Sequence, residues 1–222
     1  MAMKIFATSD IHGNKTIMDK LKNIEKIADL ILICGDIGGK NTINKTFQQF
    51  SHYQMQGADY LESVLKDLSI PSRFILGNDD WFEYDSKYHL TQDEEIKGQN
   101  FIPFEFVSIT PFNTNREANE NKLTYELNKL KADSNSIIVA HTPPYGLGDL
   151  LIGGNRCGSK AVREWIETVQ PKMWLCGHIH ENNYLGFIGD SLICNCACWY
   201  QNSILKGWLI DTVTMDYKEI EI

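Results

Sequence analysis

Five short apolar segments of this chain each run directly into polar residues, and this recurring pattern constrains the possible folds most strongly. The polar residues that follow them are, in chain order, Asp10 and His12, Asp36, Asn78, His141, and His178 with His180. Short apolar runs bounded by turn residues are typical of buried β-strands, and stretches with helical periodicity separate them here. The alternation predicts a parallel β-sheet in which right-handed crossovers join successive strands.

The predicted elements cover most of the chain. Predicted strands span residues 3–9, 29–34, 72–76, 104–109, 136–140 and 173–176, and predicted helices span 15–28, 43–68, 123–131 and 159–169. Four further apolar runs at 184–188, 191–197, 204–210 and 214–221 predict a C-terminal β-meander. Residues 84–99 are polar and charged and are predicted to form a surface loop or a short helix, whereas residues 111–121 lack periodicity and are predicted to form a loop that could border a site. We therefore expect an α/β fold of two mixed sheets packed face to face and flanked by helices, a four-layer αββα sandwich, with one domain over 1–222.

Composition narrows the classes of partner and compartment. The 222 residues carry a formal net charge of −8, and an acidic chain repels polyanions, so we expect no nucleic-acid partner. No apolar run approaches the length of about 18 residues that spans a membrane. The N-terminus lacks a signal-peptide pattern, so we expect a cytoplasmic protein without a membrane partner. The six cysteines are expected to be free thiols, with Cys194, Cys196 and Cys198 on one face of a strand.

The seven polar residues have the chemistry of metal ligands. Ligands bind at the carboxyl ends of the strands in open α/β sheets, so the five loops should converge there. Carboxylate, amide and imidazole groups suit hard to borderline cations, and seven of them exceed the needs of one ion. They suit two cations about 3.5–4 Å apart, with Asp36 as the shared carboxylate. The remaining histidines, His52 and His89, are expected to be ordinary surface or boundary residues.

Taken together, the series DxH, GD, GN, H and GHxH from Asp10 to His180 resembles the calcineurin-like metallophosphoesterase superfamily. Segments 111–117, 141–149, 158–167 and 170–181 are also similar to a prokaryotic, largely uncharacterised branch of these phosphoesterases. The resemblance implies the αββα fold and two divalent ions, for which Mn, Fe, Zn and Ni are all suitable. It assigns Asp10, His12 and His180 to one ion, Asn78, His141 and His178 to the other, and Asp36 to both. A hydroxide held between the ions would then attack the phosphorus of a phosphate monoester or diester, with nucleotide-like esters among the candidates.

Residues around the ligands have candidate roles as well. Many members of the superfamily carry a histidine directly after the Asn of the GN motif, where it is thought to assist the leaving group, whereas this chain carries Asp79. Asp79 and His141 are the candidate catalytic residues, and Asn14 and Asn78 are the candidate contacts of the phosphate. Two nearby cations should lower the pKa of Asp79 and keep it ionised, whereas burial or the neighbouring Asp80 would raise that pKa and make it an acid.

Other side chains lie close enough in sequence to reach a substrate. Trp81, Phe82 and Tyr84 could stack on a nucleobase or pack their segment onto the body of the protein. Arg116 and Arg156 lie in predicted loops and could face a phosphate.

Two other functions fit the same motifs. A scaffold or regulatory module of this fold would not catalyse, but such a protein should have lost ligands, and all seven are present. A nuclease would also fit, but the acidic composition argues against it. The leading hypothesis is therefore the hydrolysis of a small phosphorylated substrate, while the substrate's identity, the native metals and the oligomeric state stay open.

Overall fold

The computed structural model describes residues 2–40 and 46–222, which contain thirteen β-strands and four α-helices. The strands are β1 (Lys4–Thr8), β2 (Leu30–Cys34), β3 (Ser72–Ile75), β4 (Glu94–Ile96), β5 (Gln99–Phe104), β6 (Val107–Ser108), β7 (Glu117–Ala118), β8 (Ile137–Ala140), β9 (Met173–Cys176), β10 (Tyr184–Ile188), β11 (Ser191–Asn195), β12 (Lys206–Asp211) and β13 (Tyr217–Glu221). The helices are α1 (Lys15–Ile24), α2 (Phe47–Lys66), α3 (Glu120–Leu127) and α4 (Lys160–Val169), and a short 3-10 helix covers Tyr200–Asn202. The first residues of the predicted helix over 43–68 lie outside the described part of the chain.

The strands form two mixed sheets and one small pair. The first sheet has the strand order β13-β12-β1-β2-β3, and its β1, β2 and β3 are parallel. The second sheet has the order β10-β11-β9-β8-β5-β4, and its β5, β8, β9 and β11 are parallel. Strands β6 and β7 pair only with each other. The predicted parallel strands thus form the centres of two sheets rather than one.

The core lies in three apolar layers, one between the sheets and one on each outer face. Side chains such as Leu32 of the first sheet and Val139 of the second pack together between the sheets. Ile33 projects from the other face of β2 and packs with the buried sides of α1 and α2. Trp174 projects outward from β9 and packs with α3 and α4. This arrangement confirms the predicted αββα sandwich.

Side-chain caps fix the first residue of helices α1 and α4, each of which follows a loop at the carboxyl end of a strand. Asn14 accepts a hydrogen bond from the Ile17 N–H at the start of α1, over 3.2 Å. Ser159 accepts one from the Val162 N–H at the start of α4, over 3.1 Å. Such caps satisfy backbone donors that have no partner within the helix. They fix the point at which the chain leaves each strand-end loop.

The C-terminal strands differ from the predicted meander. Strands β10 and β11 form a hairpin in the second sheet, whereas β12 and β13 form another in the first sheet. Between the two hairpins, residues 196–198 take the chain from the second sheet to the first. The Cys196 N–H donates to Cys176 O of the second sheet over 2.8 Å, and the Cys198 N–H donates to Ser9 O, which follows β1 of the first sheet, over 3.0 Å. The alternation of apolar residues identifies these segments as strands but does not specify their partners.

Two other boundaries were predicted wrongly. The strand expected at 104–109 lies earlier, at β5, and only the two residues of β6 continue beyond it. The predicted loop at 84–99 contains β4, a polar edge strand that pairs with β5. Polar residues are expected on such an edge because its outer side faces solvent, and this is why the segment lacks an apolar signal.

The cysteines are free thiols among the described residues, as predicted. Cys194 and Cys196 are buried between the sheets, whereas Cys198 is buried in the layer beneath α1 and α2. The three side chains therefore do not share one face, because β11 ends at Asn195 and the chain then changes sheets. Within residues 2–40 and 46–222, no helix combines the length and apolar character needed to cross a lipid bilayer.

Candidate metal centre

The seven predicted ligands lie at the carboxyl ends of five parallel strands drawn from both sheets. They are Asp10 and His12 after β1, Asp36 after β2, Asn78 after β3, His141 after β8, and His178 and His180 after β9. Five of them are buried, and His178 and His180 are half-buried. The structure therefore brings together all seven side chains at one edge of the sandwich.

The backbone at these positions adopts conformations that few residues tolerate. Asp10, His12, Asp36 and His178 have positive φ angles of 60°, 47°, 53° and 74°. Asp and His are among the residues that enter this left-handed region more readily, yet each such residue still carries a strain cost. A Cβ on Gly77 would collide with the Asp36 carboxylate, so glycine is required there.

A first group of ligand atoms comprises Asp10, His12 and His180. His180 Nε2 lies 3.0 Å from Asp10 Oδ1, and the Nε2 atoms of His12 and His180 are 3.2 Å apart. His12 Nε2 lies 3.9 Å from Asp10 Oδ1. Their ligand atoms are close enough together to hold a metal ion.

A second group lies beside the first and is centred on Asp36. His141 Nε2 lies 3.4 Å from Asp36 Oδ2 and 3.9 Å from Asp10 Oδ1. The His178 ring lies 5.2 Å from the His141 ring, measured between centroids. Asp36 Oδ2 is also 3.7 Å from His12 Nε2, so this carboxylate lies between the two groups.

Two buried ligand atoms lack a hydrogen-bond partner among the described residues, and this supports a metal ion as the missing partner. They are Asn78 Oδ1 and His141 Nε2, and the buried Nδ1 of His12, whose Nε2 lies near His180, also lacks a partner. His141 Nδ1 lies 2.6 Å from Cys34 O and donates to it, which fixes the ring and leaves Nε2 without a proton in the neutral form. Buried polar atoms are rarely unpaired unless a ligand or ion satisfies them. The donor set present therefore fits divalent cations.

A chain of hydrogen bonds behind Asn78 sets the direction of its amide. Asn78 Nδ2 donates to Thr114 Oγ1 over 2.7 Å. The Thr114 hydroxyl itself donates to the Glu117 carboxylate, so its oxygen can only accept from Asn78. The NH₂ side of the amide is thus held toward Thr114, and Oδ1 is turned away from it. We name Glu117, Thr114 and Asn78 the amide relay.

Charges inside the centre are strongly coupled. Burial alone would raise the pKa of Asp36, but His141 and His12 hold it well below its usual range. Burial would lower the pKa of His141, but Asp36 and Asp10 raise it to about 10. Burial lowers the pKa of His12 to about 3. Two ionised carboxylates in a buried site require a nearby cation, and metal ions would replace the His141 proton in that role.

Two acidic residues follow Asn78 and have different environments. The Asp79 N–H donates to Asp36 Oδ1 over 2.8 Å, and the Asp79 carboxylate is 3.5 Å from Lys40 Nζ. Burial and Asp36 raise the pKa of Asp79, although Lys40 opposes them, so the direction is opposite to that expected from two nearby cations. Those cations, once bound, would act together with Lys40. Lys40 gave no signal in the sequence, because a single lysine after a turn is common on surfaces.

Asp80 has a positioning role that the motifs did not reveal. Its buried carboxylate accepts hydrogen bonds from the N–H groups of Gly77 over 2.8 Å, Gly38 over 2.7 Å and Ile37 over 3.3 Å. Burial and Asp36 raise the pKa of Asp80 to about 7. The side chain joins the loop that carries Asp36 to the loop that carries Asn78. The sequence signal for this role is an Asp two residues after the ligand Asn78.

Several predicted substrate contacts are placed elsewhere. Asn14 caps α1, and its Nδ2 donates to Tyr200 O over 2.8 Å and Ser203 Oγ over 3.0 Å. All its polar groups are thus engaged within the fold, and its predicted contact with phosphate stays a prediction that this geometry does not favour. Arg116 Nη1 donates to Asp80 O over 2.6 Å and Arg156 Nη1 to Asp149 over 2.6 Å, so both guanidinium groups bind the protein itself.

The structure also shows where the aromatic residues of segment 81–84 and the two remaining histidines lie. Phe82 is buried in the layer beneath α2, with Tyr84 packed beside it, which is the packing alternative. Trp81 lies against Phe47, with ring centroids 5.7 Å apart. His52 is exposed as expected, whereas His89 is buried and lies 2.6 Å from Glu105 through Nε2. His89 is therefore part of a structural ion pair and not a surface residue.

A cleft of about 600 Å³ opens next to the ligands. Asp36, Asn78, His178 and His180 line one side of it, together with Lys40, Asp79 and residues from segments 108–114 and 151–157. Pockets of this volume hold small organic ligands. The cleft gives a substrate direct access to the ligand groups.

Comparisons with known proteins agree with this architecture. The family model for the calcineurin-like phosphoesterases matches residues 3–182. A curated, uncharacterised protein of Methanocaldococcus jannaschii is 27% identical over 199 residues, covering 87% of each chain. A solved structure from Thermus thermophilus has a TM-score of 0.67 at 16% identity over 99% of both chains. The structure of an archaeal phosphodiesterase has a TM-score of 0.52 at 14% identity, covering 99% of this chain and 100% of that one. The two structures share the fold, and the family match includes every candidate ligand, so the chain belongs to the calcineurin-like phosphoesterase family.

Proposed function

We propose that this chain hydrolyses a small phosphate ester at a centre of two divalent metal ions. The observation that carries the proposal is a set of three overlapping groups of acid and histidine side chains at the end of an open cleft: Asp10 with His12 and His180, Asp10 with Asp36 and His141, and His12 with Asp36 and Asp79. Two cations bound side by side would activate water and neutralise charge on the phosphoryl oxygens. Mn, Fe, Zn and Ni all suit these ligands.

The proposed ligand assignment follows the two groups. Asp10, His12 and His180 would hold one ion, Asn78, His141 and His178 would hold the other, and Asp36 would contact both. His141 is assigned as a ligand because Nδ1 is engaged by Cys34 O, which leaves only Nε2 to face Asp36. His141 was also predicted to be catalytic, and it would contribute to catalysis by holding this metal ion.

Lys40 and Asp79 are proposed to act on the phosphate side of the centre. Both line the cleft, and Lys40 Nζ lies 5.4 Å from the centre of the Tyr200 ring, beside the first ligand group. An ammonium group there can balance charge that develops on a phosphoryl oxygen. Asp79 holds Lys40 in place through their ion pair, and in this ionised form, which bound cations would favour, it cannot donate a proton to the leaving group.

The proposal extends to monoesters and diesters. One fold neighbour is described as a phosphodiesterase, which makes diesters a reasonable first test. The net charge of −8 disfavours a nuclease. A scaffold without activity is disfavoured because all seven ligand side chains are present and converge. A cytoplasmic location stays a prediction from the sequence.

The deciding experiment is metal analysis of the purified protein followed by a panel of phosphate monoesters, diesters and cyclic nucleotides. We expect two equivalents of divalent metal and metal-dependent hydrolysis of at least one class. The Asp36→Asn variant should lose this activity. A fully metal-loaded protein that hydrolyses no member of any class would refute an enzymatic function and favour the scaffold alternative.

A further inference from the structure

The cleft beside the metal ligands has two chemically different walls. One wall carries the ligand side chains, Lys40 and Asp79. Other lining residues, Ile109, Pro111 and Phe112, form an apolar wall, and Leu151 and Ile179 add further apolar surface. A substrate that occupies the cleft would therefore place its phosphate at the polar wall and its remainder against apolar side chains.

The apolar wall is exposed to an unusual degree for such residues. Ile109 is 64% exposed and Phe112 is 79% exposed. Clusters of exposed apolar side chains that border a cleft mark binding surfaces, because their contact with water is unfavourable. Here the cluster shares its cleft with a phosphoesterase centre, so the group that covers it belongs to the substrate.

The charges in the cleft limit what that group can be. Within the described part of the chain, Lys40 is the one lysine or arginine among the lining residues, and Asp79 pairs with it. Glu181 also lines the cleft and adds a negative charge. Among the described lining residues, a second phosphate or a carboxylate distant from the metal ions would find no lysine or arginine other than the paired Lys40, and Glu181 would repel it.

We propose that the substrate is a phosphate ester whose esterifying organic group is uncharged and apolar, and that Ile109, Pro111 and Phe112 bind this substituent. The inference rests on the proposed function, because the metal centre is what anchors the phosphate. It excludes polyphosphorylated and dicarboxylate compounds from the preferred substrates. Residues 109–112 are thus the specificity-determining wall of the cleft.

The test uses alkylphosphonates from methyl to octyl as probes, with binding to the Mn²⁺-loaded protein measured by calorimetry. These compounds present the phosphate-like end but are not hydrolysed, so the measurement does not depend on turnover. We expect the dissociation constant to fall by about twofold to fourfold per added methylene until the chain outgrows the wall. An alkyl chain of equal length that ends in a second phosphonate should bind more weakly than the simple alkylphosphonate.

Variants locate the effect on the proposed wall. Ile109→Ser and Phe112→Ser should flatten the dependence on chain length, so that octylphosphonate loses more affinity than methylphosphonate. Ile152→Ser is the matched control, because Ile152 is 89% exposed but does not line the cleft. Its chain-length dependence should equal that of the unmodified protein.

The outcomes separate this inference from the proposed function. Phosphonate binding that does not depend on chain length, or a dependence that persists in both wall variants, would refute the proposed role of the apolar wall. Neither result would contradict the proposed metal centre. Failure of every phosphonate to bind the metal-loaded protein would overturn both. Stronger binding of the compound with two phosphonate groups would show that the cleft recognises a second charge and would overturn the apolar substituent.

Discussion

Thr114→Val should weaken one metal site while leaving the fold intact. Valine has nearly the shape of threonine but cannot accept the hydrogen bond from Asn78 Nδ2, which spans 2.7 Å in the native protein. The Asn78 amide would then lose the contact that distinguishes its NH₂ side from its oxygen. Its Oδ1 is one of the two buried ligand atoms without a partner, so its direction matters for metal binding.

The magnitude can be worked from the contacts that are lost. Thr114→Val removes two hydrogen bonds, the one from Asn78 and the one to Glu117. At about 1 kcal/mol net for each bond, the loss corresponds to a decrease of about 4–8 °C in Tm for a chain of this size. Glu117 keeps its contacts with the Thr110 hydroxyl and the Thr114 N–H, so the loop itself remains supported. Loss of a partner behind a metal ligand typically weakens metal affinity by about 10–100-fold. The effect on metal binding should therefore be at least comparable with the effect on stability.

The assay is a calorimetric titration of the metal-free protein with Mn²⁺. We expect two binding events in the native protein, and in Thr114→Val one of them should weaken while the other is retained. Thr114→Ser keeps the hydroxyl and should bind as the native protein does. Glu117→Gln can donate its own N–H to Thr114 Oγ1, which would free the hydroxyl to donate toward Asn78, so it should weaken the same site.

A matched control is Thr168→Val, because the Thr168 hydroxyl donates to Glu164 O within α4 over 2.9 Å, far from the ligands. It should change stability slightly and metal binding not at all. Equal affinities in the native protein and Thr114→Val would refute the amide relay. Equal losses in Thr114→Ser and Thr114→Val would show that the hydroxyl is not the relevant group.

Three further outcomes test the centre and its surroundings. Asp36→Asn should abolish activity because it removes the shared charge, whereas the exposed His52→Ala should leave activity unchanged; equal losses would place the site elsewhere. Mn²⁺ uptake at pH 8 should release protons, because the pKa of His141 is raised to about 10 in the metal-free centre. Calorimetry in buffers of different ionisation enthalpy measures this proton release, and no release from His141 is expected if His141 is not a ligand. Burial lowers the pKa of His89, but Glu105 raises it more, so the net pKa lies above the ordinary value for histidine. The ion pair therefore stabilises the fold fully at a pH below the ordinary pKa of histidine, and this stabilisation is lost as the pH rises through the raised pKa. The pKa of Glu105 is lowered, so its contribution is lost only in acid. His89→Gln should therefore cost about 2 kcal/mol in urea unfolding near pH 6 and less near pH 9; a cost that grows with pH would contradict this pairing.

The part of the site that could be predicted from sequence is the part with local causes. Asp36 comes directly after an apolar run, and parallel strands place their carboxyl ends at one edge. The position of each ligand in the fold thus depends on its own strand and turn. The glycines beside the ligands, such as Gly77, also signal the tight approach of neighbouring loops. The ligands can therefore be identified by locating each apolar strand and the polar residues at its carboxyl end.

The rest depends on contacts between distant segments, which leave no local pattern. Thr114 lies 36 positions from Asn78, and nothing in an Asn-rich loop announces which side chain it will meet. Lys40 reaches the cleft only because the loop after β2 lies against the one that carries Asp79. The split of the C-terminal strands between two sheets likewise depends on which strand edges remain unpaired. A single sequence thus indicates the ligands more clearly than the side chains that support them.

Those supports explain how the strained backbone of the site is held in place. Four ligand residues occupy the left-handed region, at a cost of roughly 1 kcal/mol or more each. The loops after β1 and β2 are joined by backbone hydrogen bonds from His12 N–H to Asp36 O over 2.9 Å and from Gly13 N–H to Ile37 O over 3.0 Å. The Asp80 carboxylate then joins the second of these loops to the loop after β3. The loops therefore hold one another in position.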